Sequence, residues 1–284
     1  MNAIFLYSEA PGNGKIVKRI SYIEKKLNNI FSKVDIVKTN NLLELAENAK
    51  KSCGNYDVLI FAGGDGTFHR IINAIAKEEN RPILGYISSG TLNDFGKNFG
   101  INRRISKSLK IIKKGKIKPF DIGLINGITY FAFVAAIGAF SEISYATKRG
   151  RVKLFGKMAY YVNAVKDAVA PQSFDVKIVI DGMTYEHKVP FVLLLNGKYI
   201  GGFPISLRNK VDDGKFDLYL TKPGLFNGLL NYLFLKRHTS YYRVDKISIF
   251  PNIEKPWCVD GEEGTSGPID IVLLKKHMNI FTNR

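Results

Sequence analysis

The first 120 residues alternate short runs of β-branched and aromatic residues with longer segments that carry apolar residues at helical spacing. The strand-like runs are 4–7, 34–37, 57–62 and 83–87. The helical pattern is clearest over 17–31, 42–51 and 68–76. Alternating strands and helices form a mostly parallel sheet with helices on both faces. Ligands in such sheets bind beyond the carboxyl ends of the strands.

The pattern changes at about residue 121. Longer strand-like segments follow, at 175–180, 189–195, 216–221 and 269–274, and they are separated by turn residues such as Asp181-Gly182. Helical patterns interrupt them at 144–148 and 154–169. The sequence therefore predicts an α/β fold of two domains, the first with a mostly parallel sheet and the second antiparallel.

Composition limits the classes of function. Forty-two basic residues against 25 acidic ones give a net charge of +17, which predicts attraction to anionic partners such as nucleotides, nucleic acids or acidic membranes. Two distant cysteines lack the spacing of a disulfide framework or a zinc site and indicate a reducing compartment. The amino terminus does not resemble a signal peptide, and the longest uncharged apolar stretches are shorter than the ~20 residues of a membrane span. We therefore expect a cytoplasmic protein.

The clearest motif is Gly63-Gly64-Asp65-Gly66-Thr67, which follows a buried strand and begins a helix. Glycines allow several backbone N–H groups to approach a phosphate, and the helix N-terminus adds partial positive charge. Asp65 can also hold Mg²⁺. A plain strand-turn-helix connection is the alternative.

Two further loops follow strands. Residues 88–95, Ser-Ser-Gly-Thr-Leu-Asn-Asp-Phe, offer hydroxyl, amide and carboxylate groups, although helix capping by Ser89 or Thr91 would explain two of them. Residues 12–15, Gly-Asn-Gly-Lys, match neither a P-loop nor a dinucleotide fingerprint, and are equally consistent with a turn or a phosphate contact. Late in the chain, Asp260-Gly261 alone indicates a hairpin turn.

Five segments occur in the order seen in diacylglycerol kinase-like lipid kinases, and the chain resembles this family over most of its length. They are 63–67, 90–95, 120–123, 156–160 and 260–262. NAD kinases share the first motif, whereas Gly-Thr-x-Asn-Asp-Phe distinguishes the lipid kinases. The resemblance implies an NAD kinase-like nucleotide domain over 1–121 plus about 276–284. This first domain would be a Rossmann-like α/β domain. The resemblance also implies an antiparallel, β-sandwich-like second domain over 122–275 and an active site in the cleft between the two.

The resemblance implies ATP and Mg²⁺ as cofactors and a lipid hydroxyl as acceptor, most simply that of diacylglycerol. Asp65, Asp94 and Asp121 would organise the catalytic Mg²⁺, and Asp260 would be the general base. Asp213, with the backbone carbonyls of Lys210 and Lys215, would hold a structural Mg²⁺. Lys157 would contact phosphate or the cleft. The implied nucleotide contacts are Gly12, Asn13, Lys15, Thr39, Gly63, Gly64, Asp65, Gly66, Thr67, Ser89, Thr91 and Asn93.

Two departures from the family pattern keep other functions open. Ser8-Glu9 stands where the family has Asn-Pro, and Arg70 stands where it often has Glu. A nucleotide-binding regulator with weak catalysis is one alternative, and an NAD kinase-like activity is another. The charge of +17 also suggests nucleic acid, but no recognition motif accompanies it and we expect none to bind. A homodimer is left open.

Between residues 95 and 118 there are nine basic residues and no acidic one. They form either a solvated helix face or a surface that docks on an anionic membrane, at which we expect the lipid substrate and a peripheral association. Residues 148–153 would add to this surface if they lie on the same side. Residues 130–140 and 225–234 are candidates for contact with acyl chains, although core burial is an alternative for the latter.

Overall fold

The structure, a computed structural model, describes residues 1–8, 14–90, 92–101, 103–138, 172–206, 209–221 and 239–284. The helices predicted at 144–148 and 154–169, the basic segment 148–153 and the apolar segment 225–234 lie outside these residues. Spatial proximity divides the chain into two compact units. One comprises Met1–Asp121 with Lys275–Arg284, and the other comprises Ile122–Leu274.

The first unit is built on a parallel sheet. Its strands are β1 (Asn2–Ser8), β2 (Lys33–Thr39), β3 (Val58–Gly63) and β4 (Ile83–Ser88). Their order is β2-β1-β3-β4, and all neighbours are parallel. Every residue of β3 is buried, which explains its continuous apolar sequence. The predicted alternation of strands and helices is confirmed.

Six helices are described in this unit. They are α1 (Gly14–Val17), α2 (Ile20–Asn28), α3 (Leu42–Ser52), α4 (Asp65–Ile75), α5 (Asp94–Asn98) and α6 (Ile105–Lys114). The helix expected over 17–31 is wrong in its bounds, because a turn at residues 18–19 separates α1 from α2. The helix expected from Phe68 begins at Asp65 instead, because Gly64 adopts the extended backbone of an N-cap residue.

The helices form two layers. Right-handed crossovers place α2 on one face of the sheet, and α3 and α4 on the other. Accordingly, α2 packs against β2 and α6, and α6 packs against β4. On the opposite face α3 packs against β1 and α4, and α4 packs against β3.

The second unit contains two antiparallel sheets. One has the order β14-β13-β10-β7-β16-β17, and the other includes β9-β8-β15-β18 and the β5-β6 hairpin. The strands are β5 (Ile117–Ile125), β6 (Thr129–Phe131), β7 (Val134–Gly138), β8 (Phe174–Ile180), β9 (Met183–Val189), β10 (Phe191–Leu195), β11 (Tyr199–Ile200), β12 (Phe203–Pro204), β13 (Phe216–Thr221), β14 (Thr239–Val244), β15 (Lys246–Pro251), β16 (Pro256–Val259), β17 (Glu262–Ser266) and β18 (Ile269–Phe281). β11 and β12 form a separate pair.

One apolar core joins the two sheets of this unit. It includes Phe131, Phe216 and Trp257, all with fully buried side chains. Burying a side chain of this size contributes about 1.5–3 kcal/mol. The predicted antiparallel, sandwich-like fold is thus confirmed. Strand β18 contributes to both units: Ile269 to Val272 pair with β15, and Ile280 pairs in parallel with β4.

Positive φ angles mark the hairpin turns. Asp181 and Gly182 have φ of 51° and 78°, and Asp260 and Gly261 have φ of 52° and 87°. Two successive positive φ angles are typical of the tight hairpin turn that Asp-Gly favours. Both turns are therefore as the sequence predicts.

In the part of the chain that the structure describes, no helix combines the length and apolar character of a membrane span.

Candidate active site

The glycine motif lies at the carboxyl end of the central strand β3. Gly63 ends the strand, Gly64 is the N-cap of α4, and Asp65 lies in the first helical turn. Gly64 has no side chain with which to cap α4. In α3, by contrast, the carboxamide oxygen of Asn41 accepts the N–H groups of two residues of the first turn. An anion is therefore a chemically suitable partner for the N-terminus of α4.

The glycine motif and the loop after β4 are in backbone contact. The carbonyl oxygen of Gly63 accepts the N–H groups of Ser89 at 2.8 Å and of Gly90 at 3.3 Å. A Cβ atom on Gly90 would lie 2.5 Å from the Cα of Gly64. The close approach of the two loops therefore explains why Gly64 and Gly90 carry no side chain, whether or not a phosphate binds there.

Asn93 shapes the second loop from inside the protein. It is buried, it has a φ of 52°, and its side chain exchanges hydrogen bonds with Gly90. The hydroxyl of Tyr86 lies 3.1 Å from both the Asn93 Oδ1 atom and the Gly63 carbonyl oxygen. Burial, and then the charge of Asp65, raise the pKa of Tyr86, so this hydroxyl stays a donor. Asn93 therefore supports the loop, and its predicted contact with the nucleotide stays a prediction.

Asp65 connects the two loops through α5. Its carboxylate accepts the N–H groups of Asp94 and Phe95, each at 3.2 Å. From the sequence, Ser89 or Thr91 is an alternative cap for this helix. In the structure the N-cap residue is Asn93, whose side chain makes no cap, and the carboxylate of Asp65 caps α5 instead. Asp94 is buried and accepts a hydrogen bond from Lys97 at 2.7 Å.

Each of the three predicted carboxylates lies close in sequence to a member of one buried aromatic cluster. Asp94 precedes Phe95, Asp121 follows Phe120, and Asp65 lies one helical turn before Phe68. The rings of Phe95 and Phe120 are 5.2 Å apart, and Phe68 contacts both. Asp121 is fully buried and accepts the N–H of Lys276 at 2.6 Å.

The three carboxylates do not form a metal-binding cage by themselves. Among the described residues, no group of three or more His, Cys, Asp or Glu side chains is placed to hold a metal ion. Mg²⁺ is commonly bound by one or two carboxylates together with substrate phosphates and water. Asp65 lies in the first turn of α4 and its carboxylate accepts the N–H of Asp94, so these two residues lie close together. A Mg²⁺ ion held by their carboxylates stays a prediction.

Asp260 lies in the turn between β16 and β17, in the second unit, and is buried. Its carboxylate accepts three consecutive backbone N–H groups, from Ala132 at 2.7 Å, Phe133 at 2.9 Å and Val134 at 3.0 Å. Asn196 holds the same segment, because its side chain donates to the Ala132 carbonyl and its N–H donates to the Phe133 carbonyl. The orientation of the carboxylate is therefore fixed by the backbone.

Asp213, the predicted ligand of a structural metal, has a cationic partner in the protein. The Nη2 atom of Arg243 donates to its carboxylate at 2.8 Å, and the N–H groups of Lys210 and Lys215 donate at 3.4 and 3.3 Å. Arg243 also lies 3.5 Å from the buried Asp217. A Mg²⁺ ion at Asp213 would have to share this carboxylate with a guanidinium group. The metal site stays a prediction.

Asp217 forms the centre of a hydrogen-bonded cluster beside this loop. It accepts hydrogen bonds from Ser206 at 2.8 Å, from Tyr241 at 2.8 Å and from Tyr219 at 3.3 Å. Burial raises the pKa of Tyr219 to about 12 and also raises that of Tyr241. Both hydroxyls therefore remain donors at neutral pH, and hydrogen bonding within the protein accounts for the cluster.

The other predicted residues differ in their surroundings. Thr39 is buried and donates to the Tyr7 carbonyl at 3.2 Å, whereas Lys15 is exposed on α1. Thr67, on α4, packs against Gly63 at the end of β3. Gly66 lies in the first turn of the same helix. The predicted Gly12, Asn13, Thr91 and Lys157, and the departure at Glu9, lie outside the described residues.

Several contacts of these residues are not evident in the sequence. The sequence identifies Lys97 only as part of a basic segment, although its spacing of three residues from Asp94 on a helix is typical of an ion pair. Asn196 donates to the Ala132 carbonyl beside Asp260, and Arg243 donates to Asp213 from a distant strand. No local pattern marks such contacts, because they depend on strand pairing.

Comparisons with known proteins agree with this arrangement. Residues 2–125 match the diacylglycerol kinase catalytic domain. A diacylglycerol kinase of Staphylococcus saprophyticus subsp. saprophyticus is 33% identical over 237 residues, which cover 80% of this chain and 77% of that protein. That of Staphylococcus aureus is 33% identical over 236 residues, which cover 80% and 75%. A crystal structure of a diacylglycerol kinase from Bacillus anthracis has a TM-score of 0.85 at 27% identity and covers 99% of this chain and 97% of that one. The chain therefore belongs to the diacylglycerol kinase family and is a lipid kinase, a phosphotransferase with an alcohol acceptor.

Proposed function

We propose that this lipid kinase transfers the γ-phosphoryl group of ATP, bound with Mg²⁺, to the hydroxyl of diacylglycerol and forms phosphatidic acid at an anionic membrane surface. The observation that carries the nucleotide part is the N-terminus of α4. Its N-cap residue is a glycine, which has no side chain to cap the helix, and it follows a buried strand. Its first-turn N–H groups and partial positive charge suit a phosphate.

The contact between the two loops supports a phosphate site at this point. Gly63 and Gly64 bring the α4 N-terminus against Gly90, so the surroundings of a bound phosphate are set by backbone atoms. We propose that Asp65 and Asp94 hold the Mg²⁺ that arrives with ATP, together with phosphate oxygens and water. When bound there, the ion would supply positive charge that offsets the negative charge of the phosphates. Lys97, bound to Asp94, would then compete with the ion for that carboxylate.

Asp260 is the proposed general base. A general base must lie within hydrogen-bond reach of the proton it accepts, either directly or through one water molecule. The three backbone donors keep its carboxylate in one orientation, as such a role requires. The acceptor lipid is argued from the family, since diacylglycerol is what the similar proteins are named for.

The test is a phosphorylation assay with γ-labelled ATP, Mg²⁺ and anionic mixed micelles that contain diacylglycerol. We expect label in phosphatidic acid with the natural chain. Asp65→Ala should lose both turnover and ATP affinity, because the residue caps α5 and approaches the phosphates. Label in a different lipid would change the proposed acceptor, and ATP binding without any labelled lipid would overturn the proposal.

A further inference from the structure

The two helical layers of the first unit differ in charge. Helices α2 and α6, which pack side by side on one face of the sheet, carry six lysines against one glutamate. Helices α3 and α4 on the other face carry three basic and three acidic residues. The positive charge of this unit is therefore distributed unevenly over its two faces.

The exposed basic residues of the first layer form a surface that we call the basic layer. They lie on α2, on α6 and just before α6, and all are exposed: Lys25, Lys26, Arg103, Arg104, Lys107, Lys110, Lys113 and Lys114. The apolar residues of α6, such as Leu109 and Ile112, are buried against the sheet. The helix is thus fixed in the fold, with its basic side toward solvent.

Helix stability alone does not account for this charge. Acidic residues near a helix N-terminus and basic residues near its C-terminus interact favourably with the helix dipole. Helix α3 uses both, with Glu44 in its first turn and two lysines in its last. Helices α2 and α6 have lysines in the last turn but no acidic residue in the first. They therefore lack one stabilising interaction each, and that absence keeps the surface positive.

Exposed apolar groups lie beside the basic layer. Tyr22 on α2 is 40% exposed, and the Nζ atom of Lys26 lies 5.8 Å from the centre of its ring. Ile117, three residues after α6, is 42% exposed. Tyrosine rings are common at the level of lipid headgroups, and a surface with basic and apolar groups suits a membrane interface.

We propose that the basic layer is the surface through which this kinase docks on anionic membranes, with α2 and α6 facing the lipid headgroups. The inference rests on the proposed function only for its role in catalysis, since the binding itself is measurable without turnover. Each basic residue near an anionic membrane contributes about 1 kcal/mol, which corresponds to about fivefold in affinity. Nucleic acid is the competing anionic partner, and the test includes it.

The first experiment measures sedimentation of the full chain with vesicles of phosphatidylcholine alone, or with 30% phosphatidylglycerol, at low and high salt. The test variant replaces Lys107, Lys110, Lys113 and Lys114 by glutamine. The control variant makes the same change in net charge on exposed residues of the second unit, by replacing Lys177, Lys188, Lys246 and Lys255 by glutamine.

We expect the natural chain to bind only the anionic vesicles and to be released by salt. The test variant should bind them roughly several hundredfold more weakly, and the control variant within about threefold of the natural chain. Equal losses in the two variants would show that only net charge matters and would overturn the proposal. Tighter binding of a 20-base-pair DNA duplex than of vesicles, with the same dependence on the α6 lysines, would also overturn it.

A second measurement identifies the face that contacts lipid. Tyr22→Trp places an indole on α2, and Leu43→Trp places one on α3 of the opposite layer, where Leu43 is 68% exposed. The natural Trp257 is fully buried and serves as a constant background. On addition of anionic vesicles, emission should shift to shorter wavelength for Tyr22→Trp and stay constant for Leu43→Trp. The reverse result would place the other layer on the membrane.

Activity on two substrates separates this inference from the proposed function. The α6 variant should lose phosphorylation of diacylglycerol in anionic vesicles and keep that of a water-soluble, short-chain diacylglycerol. If the natural chain phosphorylates neither, the proposed function fails while the vesicle measurements still decide the docking surface. Equal loss on both substrates would show that the lysines act on catalysis and would contradict a docking role.

Discussion

Substitution of Asp260 by asparagine tests both the structure around this residue and its proposed chemistry. Asparagine has nearly the same shape and tolerates the φ of 52° at this position. It has one side-chain oxygen where aspartate has two. In its best orientation the amide keeps the bonds from Phe133 and Val134 and turns its NH₂ group toward the N–H of the buried Ala132.

The expected loss of stability follows from this count. One buried N–H group without an acceptor costs about 1–3 kcal/mol, and two bonds change from a charged to a neutral acceptor at about 1 kcal/mol each. The sum is about 3–5 kcal/mol. For a unit of this size each kcal/mol lowers the Tm by about 2–4 °C, so we expect a decrease of roughly 6–20 °C. Thermal unfolding followed by circular dichroism measures it.

The same variant tests the proposed base. Below its Tm, Asp260→Asn should bind ATP as the natural chain does and lower kcat by about 10²–10⁴. Asp217→Asn is the matched control, because Asp217 is also a buried carboxylate of the second unit and is not among the predicted site residues. Its hydroxyl partners can reverse their bonds, so it should lose about 1–3 kcal/mol and keep its turnover.

Two results would refute this reasoning separately. An unchanged Tm in Asp260→Asn would show that the backbone donors do not hold the carboxylate. A kcat that falls in proportion to stability in both variants, or does not fall in Asp260→Asn, would exclude the base. In the first case the structural account is wrong, and in the second the chemical role is wrong.

Three further predictions concern other parts of the chain. Gly90→Ala should weaken ATP binding at least tenfold, because the new Cβ would clash with the backbone of Gly64. Gly14→Ala is the control and should keep the affinity, since its Cβ would meet no atom within 4 Å. Equal affinities of the two variants in calorimetry would contradict the loop contact. Arg243→Gln should strengthen Mg²⁺ binding about two- to fivefold in thermal-shift titrations by removing a competing cation, and an unchanged affinity would argue against Asp213 as a ligand. Burial lowers the pKa of His277 below its ordinary 6.5. Below pH 6.5 the unfolded chain therefore binds more protons than the folded chain, so the free energy of unfolding rises with pH in that range. His277→Gln should reduce this slope in urea titrations at pH 5 and 7, and an unchanged slope would assign it to other groups.

The sequence predicts those features that depend on local pattern. The buried strand before Gly63 and the alternation of strands and helices identify the parallel sheet and the edge at which its loops lie. The hairpin turns at Asp181 and Asp260 follow from the preference of Asp-Gly for positive φ. Such features need only a few consecutive residues, because propensity and hydrophobic spacing act over short distances.

Features that depend on contacts between distant segments are not predicted. Asp65 caps a helix that begins 29 residues later, and Arg243 approaches Asp213 from a strand 30 residues away. Asn93 matches a nucleotide-binding motif but has its side chain bonded within its own loop. A motif identifies residues that belong together, and only the structure distinguishes those that shape the loop from those available to a ligand.

Three of the four predicted catalytic carboxylates have one property in common that bears on mechanism. Asp65 accepts two backbone N–H groups, Asp121 accepts one and Asp260 accepts three. Backbone donors are fixed by secondary structure, so these carboxylates do not have to be ordered when a substrate binds. Electrostatic stabilisation in enzymes depends on groups oriented before the reaction, since reorientation during it would add to the barrier. The short side chain of aspartate suits this arrangement because it keeps each carboxylate close to the backbone that orients it, and the added methylene of glutamate would displace the charge by about 1 Å, enough to reduce activity substantially.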